Sequence, residues 1–277
     1  MSADPDPVKS RPALEPADFG SHWNTTYYEI IQEYYWDPKL IGRVPAKPAV
    51  FANDCEMLGN LRRMEVSLNH MLALFFGLAP RDFISELEMT AFGDAVDSRY
   101  RSVGIFELRC DAPHDPTQPD VFLVSDETCL SIEVKIGAKS KLEQVVKYAL
   151  LHATHDKRHG GGRRSRLLYL TPRPVGKTWE EGFADVETMQ TALESFGYGD
   201  FLLKCGMAHE ISAEELMAAA AAMEVSHMTF SQFRRIADDY AARIPRDESY
   251  ADCARSLFDG LLAELDFRAD LLNLHSA

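Results

Sequence analysis

The pattern of apolar and polar positions divides the chain into segments with a helical period and segments with a strand period. Between residues 54 and 78, DCEMLGNLRRMEVSLNHMLALFFGL sets apolar Leu61, Met64, Leu68, Met71, Leu72 and Phe75 three and four apart, which predicts one long helix with a buried face. APRDF breaks it, and FISELEMTAFGDAV predicts a shorter helix. The period then changes. SVGIFELRC reads as a strand, DAPHDPTQ as a turn-rich connection, and DVFLVS and CLSIEVKI as two strands joined by a turn at Asp126-Glu127. SKLEQVVKYALLHATHD returns to helical spacing, with Leu142, Val145, Val146, Ala149 and Leu150 in one stripe and Ser140 as the expected N-cap. LLYLTP predicts a further buried strand ended by Pro172. From KTWEEGFADVETMQTALESF onward the pattern is mostly helical, including SAEELMAAAAAM, FSQFRRIADDYAARI and DCARSLFDGLLAELDF. There is no internal repeat. This order of elements predicts an α/β fold: a mixed sheet flanked by helices, with a helical C-terminal extension.

The N-terminal part carries less signal. Residues 1–20 are rich in Pro, Asp and Ala and are expected to be a disordered tail. HWNTTYYEIIQEYYW spaces Tyr27, Ile30, Ile31 and Tyr34 as a helix would, predicting a helix pinned to the core, and DPKLIGRVPAKPAVF follows as a proline-broken connection. The expected organisation is the tail, a core over 21–175 and a helical region over 176–277 packed on that core. With 277 residues, 46% of them hydrophobic, the chain can bury one large core. No segment approaches the ~18 uninterrupted apolar residues of a membrane helix. The first residues lack the apolar stretch of a signal peptide, so a cytoplasmic protein without a membrane partner is expected. Five scattered cysteines without a C-x-x-C pair argue for reduced thiols and against a structural zinc site. Twenty-nine Lys and Arg against 43 Asp and Glu give a net charge of −14, so contact with a polyanion would need a local basic patch or bound metal.

The chemistry concentrates in QPDVFLVSDETCLSIEVKIG, residues 118–137. Alternation along the strand puts Ser131, Glu133 and Lys135 on one face and Leu130, Ile132, Val134 and Ile136 on the other. Glu133 and Lys135 then stand about 7 Å apart, and pairing through the short turn brings Asp120 to the same end. Two carboxylates with phosphate oxygens and waters suit Mg²⁺, a hard cation that keeps much of its hydration, and a lysine beside them supplies positive charge for a developing phosphorane. The competing reading is a cross-strand ion pair of Glu133 or Asp120 with Lys135 on a solvated sheet face.

With Pro119-Asp120 followed by Glu133-Val134-Lys135, the sequence resembles the PD-(D/E)XK nuclease superfamily. In that family the E-x-K strand precedes a helix carrying a Gln and, four residues on, a Tyr, here matched by Gln144 and Tyr148; a strand such as LLYLTP follows. An acidic residue on an earlier helix is matched by Glu65, with Glu56, Glu86, Glu88 and Glu107 as competitors. The resemblance spans roughly residues 60–175 and implies a restriction-endonuclease-like core. It also implies Mg²⁺ or Mn²⁺ held by Asp120, Glu133 and the Val134 carbonyl, Glu65 completing the metal shell, Lys135 activating the water and Gln144 supporting the site. The implied reaction is hydrolysis of a DNA phosphodiester by an endo- or exodeoxyribonuclease. A role in prokaryotic defence against foreign DNA follows by family analogy alone.

Among the remaining signals, DKRHGGGRRSR gathers Lys157, Arg158, Arg163, Arg164 and Arg166 around three glycines. It reads either as a solvated loop or as a mobile arm gripping phosphates, which would add Tyr148 and these cations to the nucleic-acid contacts. His152, His155 and His159 lie on one helix without a fourth ligand for zinc. No G-x-S-x-G, Walker A or G-x-G-x-x-G occurs. Two rivals to the deoxyribonuclease stay open: a catalytically silent, acidic module that binds a protein partner or forms a homodimer, and an RNA-directed nuclease.

Overall fold

A computed structural model describes residues 65–95, 99–104, 119–245 and 251–274. The predicted tail, the aromatic segment 22–36, Glu56, Glu107 and most of SVGIFELRC lie outside the described residues. The described chain opens with α1 (Glu65–Leu78) and α2 (Arg81–Phe92), followed by β1 (Arg101–Ser102), β2 (Val121–Val124) and β3 (Thr128–Val134). Helix α3 (Leu142–Arg158) and strand β4 (Arg164–Thr171) come next, then α4 (Val186–Leu193), α5 (Tyr198–Cys205) and α6 (Ala213–Ala222). Strand β5 (Glu224–Thr229), α7 (Phe230–Arg243), α8 (Ala251–Phe267) and the short α9 (Ala269–Leu272) close the order. Among the described residues no helix is long and apolar enough to cross a membrane.

The five strands form one mixed sheet in sequence order: β1, β2 and β3 run antiparallel, and β3, β4 and β5 run parallel. Period-two alternation sorts the strand side chains between two cores. Leu130, Ile132, Val134, Leu168 and Leu170 face α1, α2, α7 and α8, where Phe75, Phe83, Phe233 and Phe258 pack edge to face. On the other face Leu167 and Tyr169 join Val145, Tyr148, Trp179, Met189 and Phe201 from α3 to α5. The result is three layers, with helices on both sides of the sheet.

Three expectations change. Glu133 does not lie on a solvated face: α3 covers that side of β3, and Glu133 is 3% exposed. Ser140 is not the N-cap of α3. Lys141 occupies that position without a side-chain cap, and the Ser140 hydroxyl is engaged elsewhere. The C-terminal region is not purely helical, because EVSHMT forms β5 and pairs in parallel with β4.

Candidate acidic site at the end of the central strands

Antiparallel pairing of β2 and β3 sets Val121 opposite Ile132, so Asp120, one residue before β2, arrives beside the last residues of β3. Asp120 Oδ2 accepts the Val134 amide at 2.8 Å, and Asn69 Nδ2 of α1 donates to Oδ1 at 2.6 Å. Because a strand residue projects its N–H and C=O from the same edge, the Val134 carbonyl also faces Asp120, beyond the end of β2.

Glu133 is surrounded by donors. Gln144 Nε2 donates to Oε1 and the Tyr148 hydroxyl to Oε2, while Lys135 Nζ lies 2.6 Å from Oε1. Gln144 and Tyr148 reach it together because residues four apart share a helix face. Lys135 remains 16% exposed at the mouth of the site. Glu65, in the first turn of α1, accepts the Ile136 amide through Oε2 at 3.1 Å and so ties the helix to the strand end.

The electrostatics follow from this crowding. Burial, and then the Glu133 carboxylate, raise Asp120 to about 8, against the pull of the Val134 amide and Lys135. Burial pulls the Lys135 ammonium down, but Glu133, Asp120 and Glu65 together carry it above the ordinary lysine range. Burial and the neighbouring Glu133 hold the Tyr148 phenol well above its usual value, so it stays a donor. Half-buried Asp120 and Glu65, buried Glu133 and one lysine thus meet, among the described residues, at this end of the sheet.

The residues suggested by the sequence thus separate into two groups. Glu65, Asp120, Glu133, Val134, Lys135, Gln144 and Tyr148 converge at the C-terminal end of β3, the end at which open α/β sheets commonly hold their ligands. The two described competitors of Glu65 do not: Glu86 pairs with Arg243, and Glu88 is buried against Arg166 and Tyr100. The basic loop lies at the opposite end of the sheet. Arg164 is in register with Thr128, five residues before Glu133, which is about 16 Å along the strand. Its cations are also engaged: Arg163 with Asp156, Arg164 with Asp94 and Glu224, Lys157 with Glu215 and Arg158 with Glu210. Arg166 is fully buried against Glu88, Asp94 and Glu224, which leaves no face for a phosphate. His152 is not arranged as a metal ligand either, since Ser131 and Ser165 occupy its two ring nitrogens at 2.7 and 2.6 Å.

Asn69 was not anticipated. Its signal was available: a polar residue on an apolar helix, four positions after Glu65 and therefore on the same face.

Among the described residues no group of three His, Cys, Asp or Glu side chains forms a ready-made metal cage. The donors at hand are two carboxylates and a backbone carbonyl. All are hard oxygens, the type that suits Mg²⁺ or Mn²⁺ bound with much of its water. The molecule is therefore an α/β protein in which Asp120, just before β2, meets Glu133 and Lys135 at the C-terminal end of β3. No protein-family model, curated protein or solved structure matches the chain.

Proposed function

We propose that this chain is a metal-dependent nuclease of the PD-(D/E)XK, restriction-endonuclease-like type that hydrolyses DNA phosphodiester bonds. One observation carries the reading: among the described residues, half-buried Asp120 and buried Glu133 meet at the end of β3 with a single lysine beside them. Taking like charges out of water is costly unless a counter-charge joins them, so the pocket is preorganised for a cation. Mg²⁺ or Mn²⁺, when bound, supplies an activated water and neutralises charge on the scissile phosphate.

The chain's own residues have distinct parts in this proposal. Asp120, Glu133 and the Val134 carbonyl would hold the ion, and Glu65 would fix the strand end to α1 through the Ile136 amide. Gln144 and Tyr148 hold Glu133 in place by donating to its two oxygens, and Asn69 orients Asp120. Lys135, at the mouth, stabilises the attacking hydroxide and the developing charge. The substrate's phosphates would meet cations at the same end of the sheet: Lys135, Lys139, Arg173 and Lys177. Arg173 Nη2 donates to the Gly137 carbonyl at 3.1 Å, which joins the two loops that carry these residues.

The test compares thermal unfolding and DNA cleavage with and without Mg²⁺ or Mn²⁺. Metal should raise the melting temperature of the wild type by mass action. Asp120→Asn should lose both that shift and cleavage while the metal-free protein stays folded. Lys135→Ala should keep the shift and lose cleavage, because its contribution is made in the transition state. A wild type without divalent-metal-dependent cleavage of any DNA or RNA tested sinks the reading and leaves the acidic interaction module in its place.

A further inference from the structure

Ser140 and Tyr169 belong to neither the metal ligands nor the lysine, yet both are fully buried immediately behind Gln144. The Ser140 hydroxyl lies 3.0 Å from Gln144 Oε1 and 3.1 Å from the Tyr169 hydroxyl. Its backbone is pinned on both sides, with its N–H donating to the Thr178 carbonyl and its carbonyl accepting the Glu180 amide, each at 2.8 Å. The serine therefore cannot drift with its loop.

We propose that Ser140 and Tyr169 are positioning residues that lock the side-chain amide of Gln144 in the one orientation that serves Glu133. A glutamine amide is nearly symmetric in shape, and a 180° flip exchanges its donor and acceptor. Facing Glu133 with Nε2 it donates to a carboxylate, whereas facing it with Oε1 it sets two acceptors against each other. Proton counting settles the choice. A carboxylate accepts, so Gln144 must present Nε2 to it, and Oε1 is left pointing at Ser140. Ser140 has one hydroxyl proton and gives it to Oε1. Tyr169 must then donate to the Ser140 oxygen, and burial keeps that phenol protonated. The donors run in one direction, Tyr169 to Ser140 to Gln144 to Glu133, and a chain aligned in this way strengthens each of its members. Two of the four lone-pair directions of Glu133 are filled by Gln144 and Tyr148 and a third by Lys135, leaving one for an ion.

The consequence for metal affinity rests on the nuclease reading; the locking of the amide does not. Both are measured on the full chain. In the metal-free protein, the Gln144 side-chain amide protons should be displaced from free-glutamine shifts and protected from solvent exchange in the wild type and in Ser140→Thr, which keeps the hydroxyl. They should move toward free-glutamine shifts and exchange faster with solvent in Ser140→Ala and in Tyr169→Phe, the latter removing one oxygen without disturbing packing. Mn²⁺ affinity should fall about tenfold or more in Ser140→Ala and recover in Ser140→Thr. Unchanged Gln144 signals in both Ser140→Ala and Tyr169→Phe overturn the proposal, as does Mn²⁺ binding at wild-type strength in Ser140→Ala. If the Gln144 signals respond but the wild type does not bind Mn²⁺, the positioning role stands and the metal reading fails.

Discussion

At the scale of single residues, the decisive quantity is the proton on Asp120. In an unfolded chain an aspartate titrates near 3.9, whereas burial and Glu133 raise Asp120 to about 8 in the folded protein. Between these values the folded state binds a proton that the unfolded state has released. The metal-free protein should therefore lose stability as pH rises from about 4 to about 8, by at most ~1.4 kcal/mol per pH unit from this group, and then level off. Metal must displace the same proton, so Mn²⁺ affinity should climb through that window and flatten above it. Urea denaturation across pH on the wild type and Asp120→Asn isolates the contribution, because the variant cannot titrate there. A difference between the two that does not vary with pH would contradict it. Asp120, Glu133 and Lys135 were legible in the sequence because carboxylates and a lysine inside apolar strands need a reason to be there. The Asn69 and Ser140 contacts were not legible. Asn69 sits 51 positions from Asp120, and a serine before a helix normally signals a cap.

At the scale of elements, β4 shows how composition misleads. Arginines around three glycines left a phosphate-gripping arm open beside a solvated loop, but the carboxylates that face Arg164 and Arg166 come from remote positions, Asp94 and Glu224, and a linear reading cannot pair them. Arg166 and Glu88 form a fully buried ion pair. Removing one partner strands the other's charge, so Arg166→Ala should cost ~3–5 kcal/mol in urea unfolding. A cost below about 1 kcal/mol would mean that Glu88 is solvated. On the proposed nuclease reading, the phosphate contacts would lie at the other end of the sheet, where Lys139 and Lys177 are exposed without a carboxylate partner among the described residues. Replacing both with alanine should reduce the salt dependence of DNA binding by about two units of slope, roughly one per lost contact, while replacing Arg163 and Arg164 should leave it unchanged. The reverse result would return the role to the loop. Strand β5 escaped notice for a different reason: EVSHMT is short, half polar and wedged directly between two strongly helical runs.

At the scale of the whole molecule, that missed strand changes where the chain can be divided. The periodicity of the first 175 residues accounts for β2, β3 and β4 and for α1 to α3, which makes the remainder look like an addition to a finished core. The packing contradicts this. Phe258 of α8 lies 5.3 Å from Phe75 and 4.9 Å from Phe83, and Phe233 of α7 lies 5.7 Å from Phe76, ring centre to ring centre. Helices α7 and α8 thus form the far side of the core that α1 and α2 begin. Without β5, β4 would become an exposed edge across Arg166–Thr171, a row of unpaired backbone groups that invites pairing between chains. Without Glu224, the buried Arg166 would lose one of its carboxylates. A fragment ending at residue 175 should therefore not fold on its own, although it retains every residue of the acidic site. It should show no cooperative urea transition and should aggregate on gel filtration, whereas the full chain unfolds in a single step. A monomeric fragment with its own cooperative transition would show that the C-terminal helices are an appendage after all.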